Sequence, residues 1–360
     1  GRSGSIADAR RRSMSRCLRL TVPAWAVLLV CHGAGVAGLR RRSPPTALEA
    51  ERSRSRKQIR CILANTTRRL GKVFQRWPSG EEVAWPHTNG SCAVVSNSGV
   101  LKGHHHGKAI DNATRLFRFN DAPIGGMSPP DEGVEGVLQV DYNDIVGGRE
   151  DVRVVNDLFP GKYLEGWRPR EEPALYLVMP ISWPPSLPLD LEAFANATNA
   201  SVYSLDPQFV LRAEETMHSI FDAGWWKQFG QNSKNSWLGS PTSGLLASVL
   251  AMALCKDVRL YGLPATRKGL TVEYHYYSSA ANAEIENANS LNDHQGFRAE
   301  KYMFRLLAAN SDVDTSDVAV VKGLHTRWQE CKNANLTVDA GGVALPTSVP
   351  VGAWRQDFGN

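Results

Sequence analysis

No Cys-X-X-Cys pair occurs in the sequence, an absence that disfavours zinc, because structural zinc sites draw on such pairs; its six cysteines are all spaced otherwise. No Gly-X-Gly-X-X-Gly follows the first strand-like run, which weakens a nucleotide-dependent oxidoreductase as a reading. No internal repeat is visible, so a stacked-repeat architecture is excluded. A basic face is missing too, once the charge is located. The net charge of +5 comes from residues 1–60, with 14 Lys and Arg against 3 Asp and Glu, while the remaining 300 residues carry 27 against 33. A mildly acidic domain offers little to a polyphosphate backbone, so nucleic acid is not expected as a partner.

What is present fits one globular domain with appendages: 360 residues, 42% hydrophobic and 21% charged, enough to bury a large core. Residues 20–39 are apolar apart from Thr21, Pro23 and His32, and their length is about the minimum for a membrane-spanning helix. Arg10, Arg11, Arg12, Arg16 and Arg19 precede this run and Arg40, Arg41 and Arg42 follow it, a weak preference for a cytoplasmic N-terminus. Met14 and the small residues 33–38 would also suit a cleaved signal peptide. Either way, residues from 43 onward are expected in the secretory lumen. Six Asn-X-Ser/Thr sequons agree, at Asn65, Asn89, Asn112, Asn196, Asn199 and Asn335, since all follow the run. So do Cys61, Cys92, Cys255 and Cys331, an even set once Cys17 and Cys31 are assigned before or within the run.

The organisation expected is a cytoplasmic tail over 1–19, a membrane anchor over 20–39, a solvated stem over 40–60 rich in Arg, Ser, Pro and Glu, an ordered domain over 61–335 and a C-terminal tail over 336–360. Within the domain, Ala93-Val94-Val95 reads as a buried strand that stops at the turn Ser96-Asn97-Ser98-Gly99, and Leu116-Phe117-Arg118-Phe119-Asn120 alternates as a second strand does. Val152-Arg153-Val154-Val155 and Leu175-Tyr176-Leu177-Val178 are further short β-rich runs. A helix pattern from Ser243 to Leu254, opened by Pro241-Thr242-Ser243-Gly244, feeds the strand Val258-Arg259-Leu260-Tyr261. Strands alternating with helices predict an α/β sheet.

In such a sheet ligands sit at the carboxyl ends of strands, where turns and helix N-termini present N–H groups to phosphate. The Ser96 to Gly99 turn and Thr242-Ser243-Gly244 are two such places, although small polar residues there are more often plain turns and caps. Glu273-Tyr274-His275-Tyr276-Tyr277 and His294 add reactive groups. His104-His105-His106 suggests a metal, but consecutive side chains diverge in regular structure. Asp312-Val313-Asp314 has the Asp-X-Asp form of metal-dependent transferases, yet it reads as a surface loop.

Four segments in fixed order resemble the motifs of the eukaryotic, animal-type sialyltransferases. The long motif is matched by Cys92 through Gly99, then Leu101-Lys102-Gly103, Gly107, Ile110-Asp111 and Phe117 through Pro123; the short motif by Pro241 through Leu246, Ala253, Cys255, Val258 and Tyr261-Gly262. The third is His275-Tyr276-Tyr277, and the fourth is His294 with Glu300, separated by five residues where the family usually has four. The resemblance covers about residues 61–335. It implies a single GT-A-like, Rossmann-type α/β domain with a mostly parallel twisted sheet flanked by helices, preceded by a single membrane-anchor helix, with the catalytic domain on the luminal side of the Golgi membrane as a single-pass type II protein.

The same resemblance implies inverting transfer of sialic acid from CMP-sialic acid, or a related CMP-sugar, to a glycoprotein or glycolipid acceptor, with no metal or other cofactor. It assigns His294 as general base and His275 to the departing phosphate. Donor contacts would come from Asn97, Ser98, Asn120, Asn156, Thr242, Ser243, Gly244 and Tyr276. Glu300 shares an apolar helix face with Phe297, Phe304 and Leu307 and reads as a buried structural acceptor. Of the three pairings open to four cysteines, the family pattern selects Cys92 with Cys255 and Cys61 with Cys331. A CMP-Kdo-type sugar-acid transferase and a non-catalytic glycan-binding relative are the alternatives.

Overall fold

The structure is a computed structural model that describes residues 57, 59–64, 74–127, 140–166, 168–169, 172–180, 188, 190–211, 213–214, 241–264, 275–277, 296–310, 312–324 and 331. All of them fall in the compact unit Thr46–Asn360. The apolar run 20–39, His294 and the sequons at Asn65 and Asn335 lie outside the described residues. Among those described, no helix is long and apolar enough to cross a membrane.

Among the described residues nine strands form one sheet: β1 (Phe74–Trp77), β2 (Glu81–Val83), β3 (Thr88–Val95), β4 (Arg115–Phe119), β5 (Val152–Asn156), β6 (Leu175–Met179), β7 (Ser201–Leu205), β8 (Cys255–Tyr261) and β9 (Val318–Lys322). Their spatial order is β2-β1-β7-β6-β5-β4-β3-β8-β9. The strands from β7 across to β8 are mutually parallel, while β1, β2 and β9 add antiparallel edges. A parallel sheet must be covered on both faces, which is why its strands read as near-continuous apolar runs. Cys92 through Val95, Leu116 through Phe119 and Tyr176 through Met179 are buried without alternation.

Among the described residues these α-helices connect or flank the strands: α1 (Gly107–Asp111), α2 (Tyr142–Ile145), α3 (Phe159–Leu164), α4 (Leu191–Ala197), α5 (Ser243–Leu254), α6 (Gly296–Leu307) and α7 (Val313–Ser316). On one face Cys92, Val94, Phe117, Val154 and Leu260 pack against Leu246, Leu250 and Met252 of α5 and Met303, Phe304 and Leu307 of α6. On the other, Ala93, Val95 and Leu116 meet Leu101, Ile110 and Ile145, and Val155, Tyr176 and Val178 meet Phe159, Tyr163 and Phe194. The helix α5 runs over the span its sequence predicts, because ten of its twelve residues are buried.

Alternation in β4 would place Arg118 on a wet face, but it is only 1% exposed. Its guanidinium donates to the carbonyls of Arg149 (2.9 Å) and Val146 (2.6 Å). Arg153, in register beside it on β5, donates to the carbonyls of Asn120 (2.9 Å) and Ala122 (2.7 Å) and pairs with buried Glu150. Buried charge is tolerable only when so partnered. The two arginines fasten the loops that follow β4 and precede β5.

Disulfides join Cys92 to Cys255 and Cys61 to Cys331, with Cα separations of 6.0 and 5.5 Å. This is the pairing the resemblance implies. Replacing both Cys92 and Cys255 by alanine is expected to cost about 2–5 kcal/mol, read as a lowered unfolding temperature, and peptide maps of non-reduced protein should show no linkage between the two pairs. The described sequon asparagines, Asn89, Asn112, Asn196 and Asn199, are all exposed. Asn89 lies at the start of β3, Asn112 between α1 and β4, and the other two at the end of α4 just before β7, so all four mark the amino edge of the parallel sheet.

Candidate functional site

After the antiparallel edge strands β1 and β2, the chain begins the parallel part of the sheet at β3, builds outward through β4, β5, β6 and β7 to meet β1, then returns to place β8 on the other side of β3. The strand order therefore reverses at β3, and open α/β sheets bind ligands outside the carboxyl ends of strands at such a switch point. There the backbone N–H of Ser96 donates to the carbonyl of Tyr261 at 3.0 Å, tying the ends of β3 and β8 together. Gly262 has a φ of +71°, and a Cβ there would lie 2.5 Å from the Ser96 Oγ, so glycine is needed at this crossing.

Asn97 follows directly. Its carbonyl accepts from the N–H of Tyr276 at 2.8 Å, and Ser98 forms a β-bridge with His275. The third motif is thereby laid against the turn of the long motif. Asn97 Nδ2 donates to the Tyr277 hydroxyl at 3.3 Å, and that hydroxyl donates to Asp121 Oδ1 at 3.1 Å. The rings of His275 and Tyr277 stack, with centroids 4.8 Å apart and planes within 4°. Asn120 ends β4 with a φ of +48°, a conformation asparagine tolerates better than most residues. The side-chain oxygens of Asn97 and Asn120 are buried with no hydrogen-bond partner. Buried acceptors are normally satisfied, so two orphans just past the carboxyl ends of the paired strands β3 and β4 mark where a ligand's donors would fit.

Asn156 ends β5, with its Oδ1 accepting from the Leu158 N–H at 3.1 Å. On the far side of β3, α5 points its positive N-terminal end to the same edge: Gly244 lies beside Leu263, two residues past β8. Thr242 caps that helix, its Oγ1 accepting from the Leu245 N–H at 3.1 Å. Its own N–H and hydroxyl donate to the two carboxylate oxygens of Glu300, at 3.0 and 2.6 Å. Burial pushes the Glu300 carboxyl up to about 7, against the opposing pull of those two hydrogen bonds. The sequence places Glu300 inward with Phe304 and Leu307, and all three are buried; the side chain of Phe297 lies outside the described residues.

Two expected donor contacts turn out to have other work. Tyr276 is 1% exposed, packed edge-on to Tyr142, and its hydroxyl donates to the Pro123 carbonyl at 2.5 Å. Thr242 spends its N–H and hydroxyl on Glu300. Sequence reasoning left out Tyr277 and Asp121, and no local period offers them, because His275 is a lone bridge residue and Tyr276 and Tyr277 form a turn. In that turn Tyr277 stacks on His275 while Tyr276 turns to the core.

In the histidine triplet consecutive side chains diverge, and His104 and His106, two apart, lie together with their rings stacked at 4.9 Å. His104 Nε2 is 2.8 Å from Asp317 Oδ2, His106 Nε2 is 3.1 Å from the Ser316 carbonyl, and His105 pairs with Asp144 on the other side. Burial holds His106 below the ordinary histidine range. Asp312 caps the short helix α7 rather than lying in a loop. Among the described residues, no group of three or more His, Cys, Asp and Glu side chains is arranged to hold a metal.

A mostly parallel sheet with polar orphans at its switch point defines an α/β ligand-binding domain. The profile of glycosyltransferase family 29 (sialyltransferase) matches residues 48–130 and 141–311, and the chain belongs to that family. Alpha-2,8-sialyltransferase 8E of Homo sapiens is 29% identical over 197 residues, covering 52% of this chain and 47% of that one. Beta-galactoside alpha-2,6-sialyltransferase 2 of Xenopus tropicalis is 26% identical over 212 residues, covering 54% and 36%. The chain thus spans about half the length, or less, of these curated relatives. A crystal structure of a mammalian sialyltransferase aligns with a TM-score of 0.37 at 21% identity, over 61% of this chain and 66% of that one.

Proposed function

We propose that this chain is a transferase that moves sialic acid from CMP-sialic acid to a hydroxyl of a glycan, with inversion. The observation that carries the reading is the pair of buried, unpartnered oxygens of Asn97 and Asn120 at the switch point, with His275 bridged to Ser98 beside them. Donor amino or hydroxyl groups would satisfy those oxygens. Asn156 and the first turn of α5 at Ser243 and Gly244 border the same edge and would face the donor's phosphate or carboxylate.

In the reaction the acceptor oxygen attacks the anomeric carbon, the bond from that carbon to the phosphate oxygen breaks, and CMP leaves. His294 takes the hydroxyl proton, while His275 donates to the departing phosphate. No metal is required, since orientation and hydrogen bonding at the phosphate serve in its place. The relatives' names carry α2,8 and α2,6 linkages, so they support sialyl transfer without choosing one for this chain. The two disulfides and the exposed sequons support a luminal Golgi location.

Product analysis tests the reading. The full chain, offered CMP-Neu5Ac and CMP-Kdo separately with mixed galactosides and excess EDTA, is expected to yield a sialylated product. Transfer from CMP-Kdo alone would change the sugar, activity that returns only with added Mn²⁺ would remove the metal-free mechanism, and no transfer from either donor would sink the enzyme reading.

A further inference from the structure

Tyr277 belongs to the third motif, yet nothing in the chemistry above uses it. Three contacts distinguish it from a core filler. Its ring lies flat on that of His275, at 4.8 Å and 4°. Its hydroxyl accepts from Asn97 Nδ2 at 3.3 Å and donates to Asp121 Oδ1 at 3.1 Å. The neighbouring Tyr276 fills the core instead, 1% exposed and nearly perpendicular to Tyr277 at 86°.

Each contact removes a freedom the site would otherwise have. An imidazole carried by a lone bridge residue can rotate about its Cβ–Cγ bond, and a parallel aromatic neighbour fixes the plane of the ring. An asparagine amide can present either end to a ligand. With Nδ2 spent on the Tyr277 hydroxyl at 3.3 Å, and more distantly on the Phe119 carbonyl at 3.5 Å, Asn97 keeps its Oδ1 as the unpartnered acceptor. Asp121 decides the direction of this relay: as an acceptor it takes the phenolic proton, leaving the Tyr277 oxygen free to receive the amide N–H.

We propose that Tyr277 is a positioning residue for the transfer, holding the ring of His275 by stacking and the amide of Asn97 by a hydrogen bond, so that the nucleotide donor meets groups already oriented. The proposal rests on the donor-site reading above. Orientation set before binding saves the entropy of ordering these side chains in the complex, and misplacement of a reacting group by about 1 Å can cost about 10²-fold in rate.

The two halves of the role separate by mutation. Tyr277→Phe keeps the ring and loses both hydroxyl bonds; Tyr277→Leu loses the ring as well. With the full chain and saturating acceptor, Tyr277→Phe is expected to raise the KM for CMP-Neu5Ac and the calorimetric Kd for CMP by about 3- to 10-fold, the usual worth of one hydrogen bond, with kcat within about two-fold of the parent. Tyr277→Leu should show the same loss of affinity and a further fall in kcat of about 10-fold or more. A Phe variant with parental KM and Kd, a Leu variant whose kcat matches that of Phe, or losses in both that follow the unfolded fraction at the assay temperature would overturn the proposal. If the parent transfers nothing, the functional reading fails, while the CMP affinity of parent against Tyr277→Phe still decides the Asn97 half.

Discussion

Replacing His294 with alanine is expected to lower kcat by about 10²- to 10⁴-fold, the usual contribution of a general base, while CMP affinity stays close to that of the parent. The side chain removed would take the acceptor's proton, and the groups proposed to hold the nucleotide, at Asn97, Asn120 and the first turn of α5, remain. In sequence His294 stands six residues before Glu300, and Glu300 is hydrogen-bonded to the residue that caps α5. His275→Ala should differ, because a group beside the leaving phosphate contributes to holding CMP as well as to turnover. Steady-state kinetics with calorimetric CMP binding separates the two. A folded His294→Ala protein with near-normal kcat would show that another group takes the proton.

The second large effect concerns Glu300, whose value rises from 4.5 to about 7 on burial. An acid that binds its proton more tightly when folded adds stability in full below its unfolded value and loses it as pH rises through its folded one. The domain should therefore lose roughly 3 kcal/mol from this group between about pH 4.5 and 8. Glu300→Gln is nearly isosteric: its carbonyl can accept from the Thr242 N–H while its amide donates to the hydroxyl. That variant should unfold with a flatter pH profile and match or exceed the parent at pH 8. Glu300→Leu leaves both Thr242 groups unpaired and should cost about 1–3 kcal/mol at about pH 5, with the difference from the parent narrowing toward pH 8 as the parent's buried carboxyl ionises. Thermal unfolding across pH 5–8 checks this, and equal slopes for parent and Glu300→Gln would exclude Glu300 as the titrating group.

Much of this architecture is visible in the residues. The apolar runs at Ala93, Val152 and Leu175 mark central strands, and the Pro-Thr-Ser-Gly opening marks the start of α5, because burial on both faces and capping chemistry are local signals. What is hidden is non-local. Arg118 looks like the polar side of a half-wet strand until the carbonyls of Val146 and Arg149 come to meet it. That His104 and His106 share a wall at Asp317 and Ser316 depends on partners 213 and 210 residues away. Thr242 reads as either a cap or a ligand contact, and only Glu300, 58 residues away, decides which of its groups are already used. Tyr276 and Tyr277 are alike in the sequence, and it is a turn that sends the one into the core and lays the other on His275.

The placement of the sequons gives the molecule a front and a back. Asn89, Asn112, Asn196 and Asn199 mark the edge where the parallel strands begin, and the ligand edge is where they end. Carbohydrate added at any of the four would stand behind the sheet. On the proposed function, an acceptor carried on a bulky glycoprotein or packed in a lipid surface would approach the opposite edge without crossing these sugars.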